Sequence, residues 1–148
     1  MFAAVSKVFD QKHYDDDDNA KHQVIAWLES KGFMAWVNPD QFGIDVQGVR
    51  KGISYEFEVE VKHNWKGKEF PFDTVHFSNR KRKFALPDNT TWFVMLNHER
   101  THGLMISGAV FLAAPIVEKN TIYTKKEQFV QINVDQGILI TFREGGFV

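Results

Sequence analysis

The sequence contains no cysteine, and this absence excludes two classes of site. Neither a disulfide framework nor a zinc site built on thiolates can form. The formal net charge of −1 also excludes a surface that is cationic all round, so any nucleic-acid-binding surface has to be local. A chain without cysteine is compatible with a reducing compartment, and we expect a cytoplasmic location.

Long apolar runs are absent as well. The run AVFLAAPIV (109–117) is interrupted by Pro115 and is too short to span a bilayer, so we expect no membrane association. The first ten residues lack the basic start and the apolar core of a signal peptide. With 148 residues, 43% of them hydrophobic, the chain is long enough for one domain with a sizeable core, and we expect a single domain over residues 1–148.

Hydrophobic periodicity predicts one long helix and a series of strands. The helix covers about residues 17–31 and ends at Gly32, and the acidic run at residues 15–18 favours its N-terminus. Strands are expected at MAWV, IDVQGV, ISYEFEVEVK, TTWFVML, GLMISGAVFL and ILITF, whereas KKEQFVQINV fits either a helix or a strand. NRKRKFAL (79–86) is expected to be a short helix that Ser78 caps. This order predicts an α/β domain around a central mixed sheet.

The strand ISYEFEVEVK carries charged side chains on one face and apolar side chains on the other. Because side chains alternate along a strand, the apolar set points to the core and the charged set to the opposite face. The charged set is Glu56, Glu58, Glu60 and Lys62, and the apolar set is Phe57, Val59 and Val61. A short hairpin at Arg50-Lys51-Gly52 can bring Asp45 beside the charged set. A solvated sheet face would give the same alternation, so the pattern alone leaves both readings open.

A helix followed by a hairpin with Asp45 on one strand and Glu60-Val61-Lys62 on the next resembles the PD-(D/E)XK nuclease superfamily. The likeness is strongest to small Holliday junction resolvase-like proteins and to phage or homing nucleases, and it covers about residues 17–85. The resemblance implies a restriction-endonuclease-like core, with a central mixed β-sheet flanked by helices. It also implies hydrolysis of DNA phosphodiester bonds that depends on Mg²⁺, for which Mn²⁺ substitutes.

The resemblance further implies roles for individual residues. Asp45, Glu60 and the carbonyl of Val61 would hold the metal ion, and Lys62 would orient the attacking water or stabilise developing charge. Asp40 is the rival to Asp45, but it lies in a turn bounded by Pro and Gly rather than in a strand. Further acidic residues that could join the site are Glu58 and Asp18, and helix capping is the competing role for the acidic run that contains Asp18.

A basic segment follows the acidic strand and is the candidate DNA-binding surface. Its predicted contacts are Lys66, Lys68, Arg80, Lys81 and Lys83, with Arg80 and Lys83 on one helix face. We expect the DNA to be double-stranded or branched, and the protein to be a homodimer, because cutting both strands takes two sites. The segment GILITF could form the dimer interface or part of the core.

Three further residues of the sequence are candidates for substrate contacts. Trp65 could stack on a base or anchor its loop in the core, and Asn97 and Arg100 could approach the substrate. His98 and His102 belong to a loop rather than to a metal site. The alternative to an enzyme is a catalytically inactive nucleic-acid-binding or protein-interaction module on the same fold.

Overall fold

The structure is a computed structural model that describes residues 11–122 and 125–142, with side chains from Asp18 onward. It contains two α-helices, α1 (Gln11–Ser30) and α2 (Gly108–Ala113). Two short 3-10 helices cover Asn79–Phe84 and Val134–Gln136. None of the helices in these ranges combines the length and the apolar character that a membrane crossing needs.

The central sheet has six strands and is mixed. Its strands are β1 (Met34–Val37), β2 (Val46–Arg50), β3 (Ile53–Val61), β5 (Thr91–Leu96), β6 (His102–Ser107) and β9 (Ile138–Thr141). They lie in the order β9-β6-β5-β3-β2-β1, with β3 and β5 parallel and every other neighbouring pair antiparallel. The predicted central mixed sheet is therefore confirmed.

Helix α1 covers one face of this sheet with the side chains that the sequence pattern predicted. Ala20, Val24 and Leu28 are buried against the sheet, in one core with Phe57 and Val59 of β3. The helix ends at Ser30, and the φ of 92° at Gly32, two residues later, lets the chain turn in the left-handed region.

The start of α1 differs from the prediction. The helix already includes Gln11, so the acidic run at residues 15–18 lies inside it and does not cap it. Gln11 and Lys12, which precede the run, are residue types that favour helix, and the effect of the helix dipole falls off within the first turn.

The other face of the sheet is covered mainly by a second, smaller sheet, which the sequence patterns did not predict. Its strands are β4 (Thr74–Ser78), β7 (Ile116–Lys119) and β8 (Glu127–Asn133), in the antiparallel order β4-β8-β7. KKEQFVQINV is thus largely strand β8. Phe77, Phe93 and Phe111 pack together in this second core, where the ring centroids of Phe93 and Phe111 lie 4.2 Å apart.

Two predicted elements have a different form in the structure. GLMISGAVFL is only half strand, because β6 ends at Ser107 and α2 begins at Gly108. The chain leaves the sheet where Gly108 lies against the backbone of Leu86, since a Cβ at this glycine would come within 2.4 Å of the Leu86 carbonyl oxygen. NRKRKFAL forms the 3-10 helix Asn79–Phe84, and the predicted Ser78 cap is confirmed by its acceptance of the Arg80 N–H at 3.3 Å.

The hairpin of β2 and β3 fixes the relative positions of the charged residues. Its two-residue turn, Lys51-Gly52, has φ angles of 52° and 77°, which is the conformation that tight β-hairpins favour. The pairing places Val46 opposite Phe57, so the residue before Val46 lies level with Glu58. Strand β2 begins at Val46, and Asp45 therefore directly precedes the strand instead of lying within it.

Candidate active site

Three carboxylates gather at the end of the β2–β3 hairpin that is remote from its turn. They are Asp45, Glu58 and Glu60, and we call them the acidic cluster. Asp45 is oriented by the backbone of β3, because its Oδ2 accepts the Val59 N–H at 2.8 Å. Glu58 and Glu60 share one face of β3, and Glu58 is buried whereas Glu60 is partly exposed.

A lysine from another element lies within the acidic cluster. The Nζ atom of Lys81 is 2.9 Å from Glu58 Oε2 and 3.4 Å from Glu60 Oε1. Burial lowers the pKa of Lys81, but the carboxylates of Glu60 and Glu58 outweigh burial and raise it above its ordinary value, so the ammonium stays charged. Lys81 thus brings one positive charge to Glu58 and Glu60 from the 3-10 helix Asn79–Phe84.

The Glu58 carboxyl is in an environment that penalises its charge. Burial raises the pKa of Glu58, Lys81 opposes this shift and the nearby Asp45 carboxylate adds to it, and the net result is a pKa of about 7. Its Oε1 atom is buried and has no hydrogen-bond partner among the described residues. Half of this carboxyl group is therefore left without the partner that a buried charge requires.

A second lysine approaches the acidic cluster from helix α1. Lys21 Nζ lies 3.4 Å from Asp45 Oδ1. No local sequence pattern marked this residue, because the contact joins the helix to a loop 24 residues later in the chain. Lys21 and Lys81 together give each member of the cluster a cationic neighbour.

Lys62, the predicted catalytic lysine, lies beyond Glu60 on the same side of the sheet. Its Nζ is 5.5 Å from the centroid of the Phe72 ring. Burial lowers the pKa of Lys62, Glu60 opposes this shift, and Lys119 adds to it. The proposed role of Lys62 in orienting water stays a prediction.

The rival acidic residues have other partners. Asp40 closes its own turn, where its Oδ1 accepts the Phe42 N–H at 3.0 Å. Asp18 lies 3.8 Å from His22 Nε2, one helical turn along α1. The geometry therefore groups Asp45, and not these two aspartates, with the glutamates of β3.

The donor atoms of the acidic cluster determine whether it can hold a divalent cation. Within the ranges that the structure describes, no three His, Asp or Glu side chains are arranged as a ready-made metal site. The donor atoms nevertheless suit Mg²⁺, which prefers carboxylate oxygens, and the buried Glu58 Oε1 is an oxygen that still needs a cationic or donor partner. The donor atoms of the cluster therefore suit a divalent ion. In the structure, the Lys81 ammonium contacts the two glutamates that such an ion would use.

The basic residues of the 3-10 helix divide between the site and the surface. With about three residues per turn, Arg80 and Lys83 share one face and Lys81 points elsewhere. Arg80 is exposed and lies 3.5 Å from Glu127 Oε2, and Lys83 is exposed beside the Phe84 ring. An open depression in the surface is lined by Ser78, Arg80, Lys81, Lys83 and Phe84. Lys66 and Lys68 are also exposed, in the loop after β3.

Trp65 and Asn97, two candidates for substrate contacts, are buried and hold loops in place. Trp65 is fully buried in the second core, so it anchors its loop and cannot stack on a base. Asn97 is buried as well, and its side-chain amide donates to Gly67 O at 2.9 Å and to Thr101 Oγ1 at 3.0 Å. The expectation that Asn97 meets the substrate is wrong, because its polar atoms hold two loops together.

No protein-family model matches the chain, and no curated protein does. Among solved structures, the chain is similar to Hjc of Archaeoglobus fulgidus, a Holliday junction resolvase from an archaeal hyperthermophile. The match has a TM-score of 0.54 and 12% sequence identity, and it covers 84% of this chain and 92% of that one. At this identity the similarity establishes the fold, and the restriction-endonuclease-like fold that the sequence resemblance implied is confirmed.

Proposed function

We propose that this protein is a metal-dependent DNA endonuclease that hydrolyses phosphodiester bonds and prefers branched DNA. The observation that carries the proposal is the acidic cluster itself, in which Asp45, Glu58 and Glu60 meet lysines at one end of the β2–β3 hairpin. The fold similarity supports it, since the similar structure is that of a Holliday junction resolvase.

Asp45, Glu58 and Glu60 would hold a Mg²⁺ or Mn²⁺ ion, with the Val61 carbonyl as a further ligand. This assignment adds Glu58 to the ligands that the sequence motif designates, because Glu58 is the carboxylate level with Asp45. When bound, the ion supplies positive charge to the scissile phosphate and activates water.

Lys62 would orient the attacking water and stabilise charge on the phosphate. The lowered pKa of this lysine, which burial causes, brings its amine closer to the range in which it can accept a proton. Its position one pleat beyond Glu60 on the same face of the sheet keeps it beside the metal ligands.

The DNA backbone would lie across the surface depression beside the acidic cluster. Arg80 and Lys83 line this depression, and Lys66 and Lys68 are exposed on the loop after β3. Contacts from such side chains to phosphates give affinity that does not depend on sequence. Because such contacts follow the path of the DNA backbone, they suit recognition of the shape of a branched DNA.

A homodimer would supply one active site for each strand. The edge strand β9 exposes Ile138 and Leu139, which are 53% and 56% accessible, and this apolar edge is the candidate dimer contact. This choice follows the sequence-based expectation for the segment GILITF.

Cleavage assays with matched variants test the proposal. Wild-type protein should cut a four-way junction faster than linear duplex or supercoiled plasmid, in Mg²⁺ or Mn²⁺ and not in EDTA. Glu60→Gln should cut at least about 100-fold more slowly, because it removes a metal ligand without changing side-chain size. Glu56→Gln is the control, since Glu56 lies on the same face of β3 but pairs with Gln47 at 3.4 Å.

An inactive DNA-binding module is the second candidate, and one observation favours it. Lys81 occupies the acidic cluster in the way a cation would, which is also how an inactive site could be kept neutral. In that case the junction would be bound equally well in EDTA and by Glu60→Gln, and no condition would give cleavage.

A further inference from the structure

We propose that the Lys81 ammonium is a built-in counter-ion that competes with a divalent cation for Glu58 and Glu60 and leaves them when the cation binds. The inference rests on the proposed function, because it takes the acidic cluster as the metal site. It adds a residue that the nuclease motif on the hairpin does not designate, from an element outside that hairpin.

The contacts of Lys81 make it unfavourable for the ammonium and a divalent ion to bind Glu58 and Glu60 at the same time. One ammonium touches both glutamates, at 2.9 Å and 3.4 Å, and its side chain is only 24% exposed. A divalent ion on the same carboxylates would lie within a few ångströms of this positive charge. Repulsion between charges at such a separation is large in a partly buried site, so a metal ion either displaces Lys81 or binds weakly.

The present contacts leave the acidic cluster short of partners, which favours the exchange. Lys81 binds Oε2 of Glu58 and leaves the buried Oε1 atom without a hydrogen bond among the described residues. An ion held by both oxygens of Glu58, or by one of them together with Asp45, would satisfy the atom that Lys81 does not reach. Lys21 is paired with Asp45, at 3.4 Å, whereas Lys81 is the ammonium on Glu58 and Glu60, so the exchange on the two glutamates concerns Lys81.

An alternative position for the Lys81 ammonium lies at the surface. It lines the open depression together with Arg80 and Lys83, so rotation about its side-chain bonds takes the ammonium from the acidic cluster to the surface. There it would join the two exposed cations of the same 3-10 helix. Metal binding would in this way add one positive charge to the surface that is proposed to meet the DNA backbone.

Mn²⁺ titrations at constant ionic strength, followed by the electron paramagnetic resonance signal of the free ion, test the competition. Lys81→Met should bind Mn²⁺ at least about tenfold more tightly than wild type, because a positive charge next to the ion has gone. Lys81→Arg, which keeps the charge, should stay close to wild type. Lys83→Met is the matched control on the same helix, and its affinity should stay within about threefold, because an exposed charge is screened.

A second measurement uses the wild-type protein and does not depend on how well Lys81→Met folds. Acetylation of lysines, read by mass spectrometry, should leave Lys81 protected in EDTA and label it in Mg²⁺, whereas Lys83 should be labelled in both. Tighter binding by Lys81→Met together with release of Lys81 in Mg²⁺ supports the inference.

The two proposals fail in different ways. If wild type binds metal while Lys81→Met binds it equally or more weakly, or if Lys81 stays protected in Mg²⁺, the competition is overturned and the nuclease proposal stands. If wild type and every variant lack affinity for Mn²⁺, both proposals are overturned.

Discussion

The two faces of strand β3 meet different surroundings, although their residues alternate regularly in the sequence. The side chains of Phe57 and Val59 lie under α1 in an apolar core with Ala20, Val24 and Leu28. On the opposite face the three glutamates differ from one another. Glu56 pairs with Gln47, Glu58 is buried against Lys81, and Glu60 shares the same lysine.

The difference shows how a tertiary contact turns a charged strand into a candidate site. Glutamates at a solvated sheet face cost little, because water stabilises each charge. The 3-10 helix Asn79–Phe84 removes water from Glu58 and supplies one ammonium for two carboxylates. The apolar face should therefore govern stability, and the acidic face should govern the response to protons, metal ions and DNA.

Shortening Phe57 should give the largest loss of stability. Because its ring is fully enclosed under α1, Phe57→Ala should lower the free energy of unfolding by about 3 to 5 kcal/mol, measured by urea denaturation. Phe42→Ala is the control, since Phe42 is 81% exposed, and it should change this free energy by less than about 0.5 kcal/mol. Equal losses in the two variants would contradict the assignment of the core.

The buried Glu58 should make stability depend on pH in metal-free buffer. Because burial raises its pKa to about 7 in the folded state, the stabilisation from its proton is full below the unfolded pKa and is lost as the pH rises through about 7. Between about pH 5 and about pH 8, the free energy of unfolding of the wild type, measured by urea denaturation, should fall by about 1 to 3 kcal/mol more than that of Glu58→Gln. Parallel stability curves for the two proteins in EDTA would contradict this.

Removing exposed charges from the 3-10 helix should have a smaller effect, confined to DNA binding. Arg80→Gln and Lys83→Gln should each lower junction affinity by about three- to tenfold. Each should also reduce the slope of log affinity against log salt concentration by about the amount that one phosphate contact contributes. Fluorescence anisotropy in EDTA measures binding without cleavage. Lys51→Gln, in the hairpin turn remote from the acidic cluster, makes the same charge change and should leave both quantities unaltered.

Most of the framework was predictable because it depends on local patterns. The alternation of β3 placed Phe57 and Val59 in the core, the two-residue turn at Lys51-Gly52 set the hairpin, and Gly32 marked the end of α1. These features follow from side-chain periodicity and backbone sterics within a few residues. The fold class followed from the residues of the hairpin through a resemblance.

The remaining features depend on contacts between distant segments. Lys81 is 23 residues from Glu58 in the sequence, and nothing in NRKRKFAL distinguishes it from the exposed Lys83. The turn of the chain into α2 depends on how closely Gly108 meets the backbone of Leu86. The second sheet, which buries Trp65, also forms between segments that are far apart in the chain.

The most direct test of the account is Mn²⁺ affinity in wild type, Glu58→Gln and Glu56→Gln, which compares two glutamates of one strand face. The acidic cluster predicts one site per chain that Glu58→Gln weakens at least about tenfold and that Glu56→Gln leaves unchanged. Equal affinities in all three proteins, or an equal loss in both variants, would contradict a metal site formed by Asp45, Glu58 and Glu60.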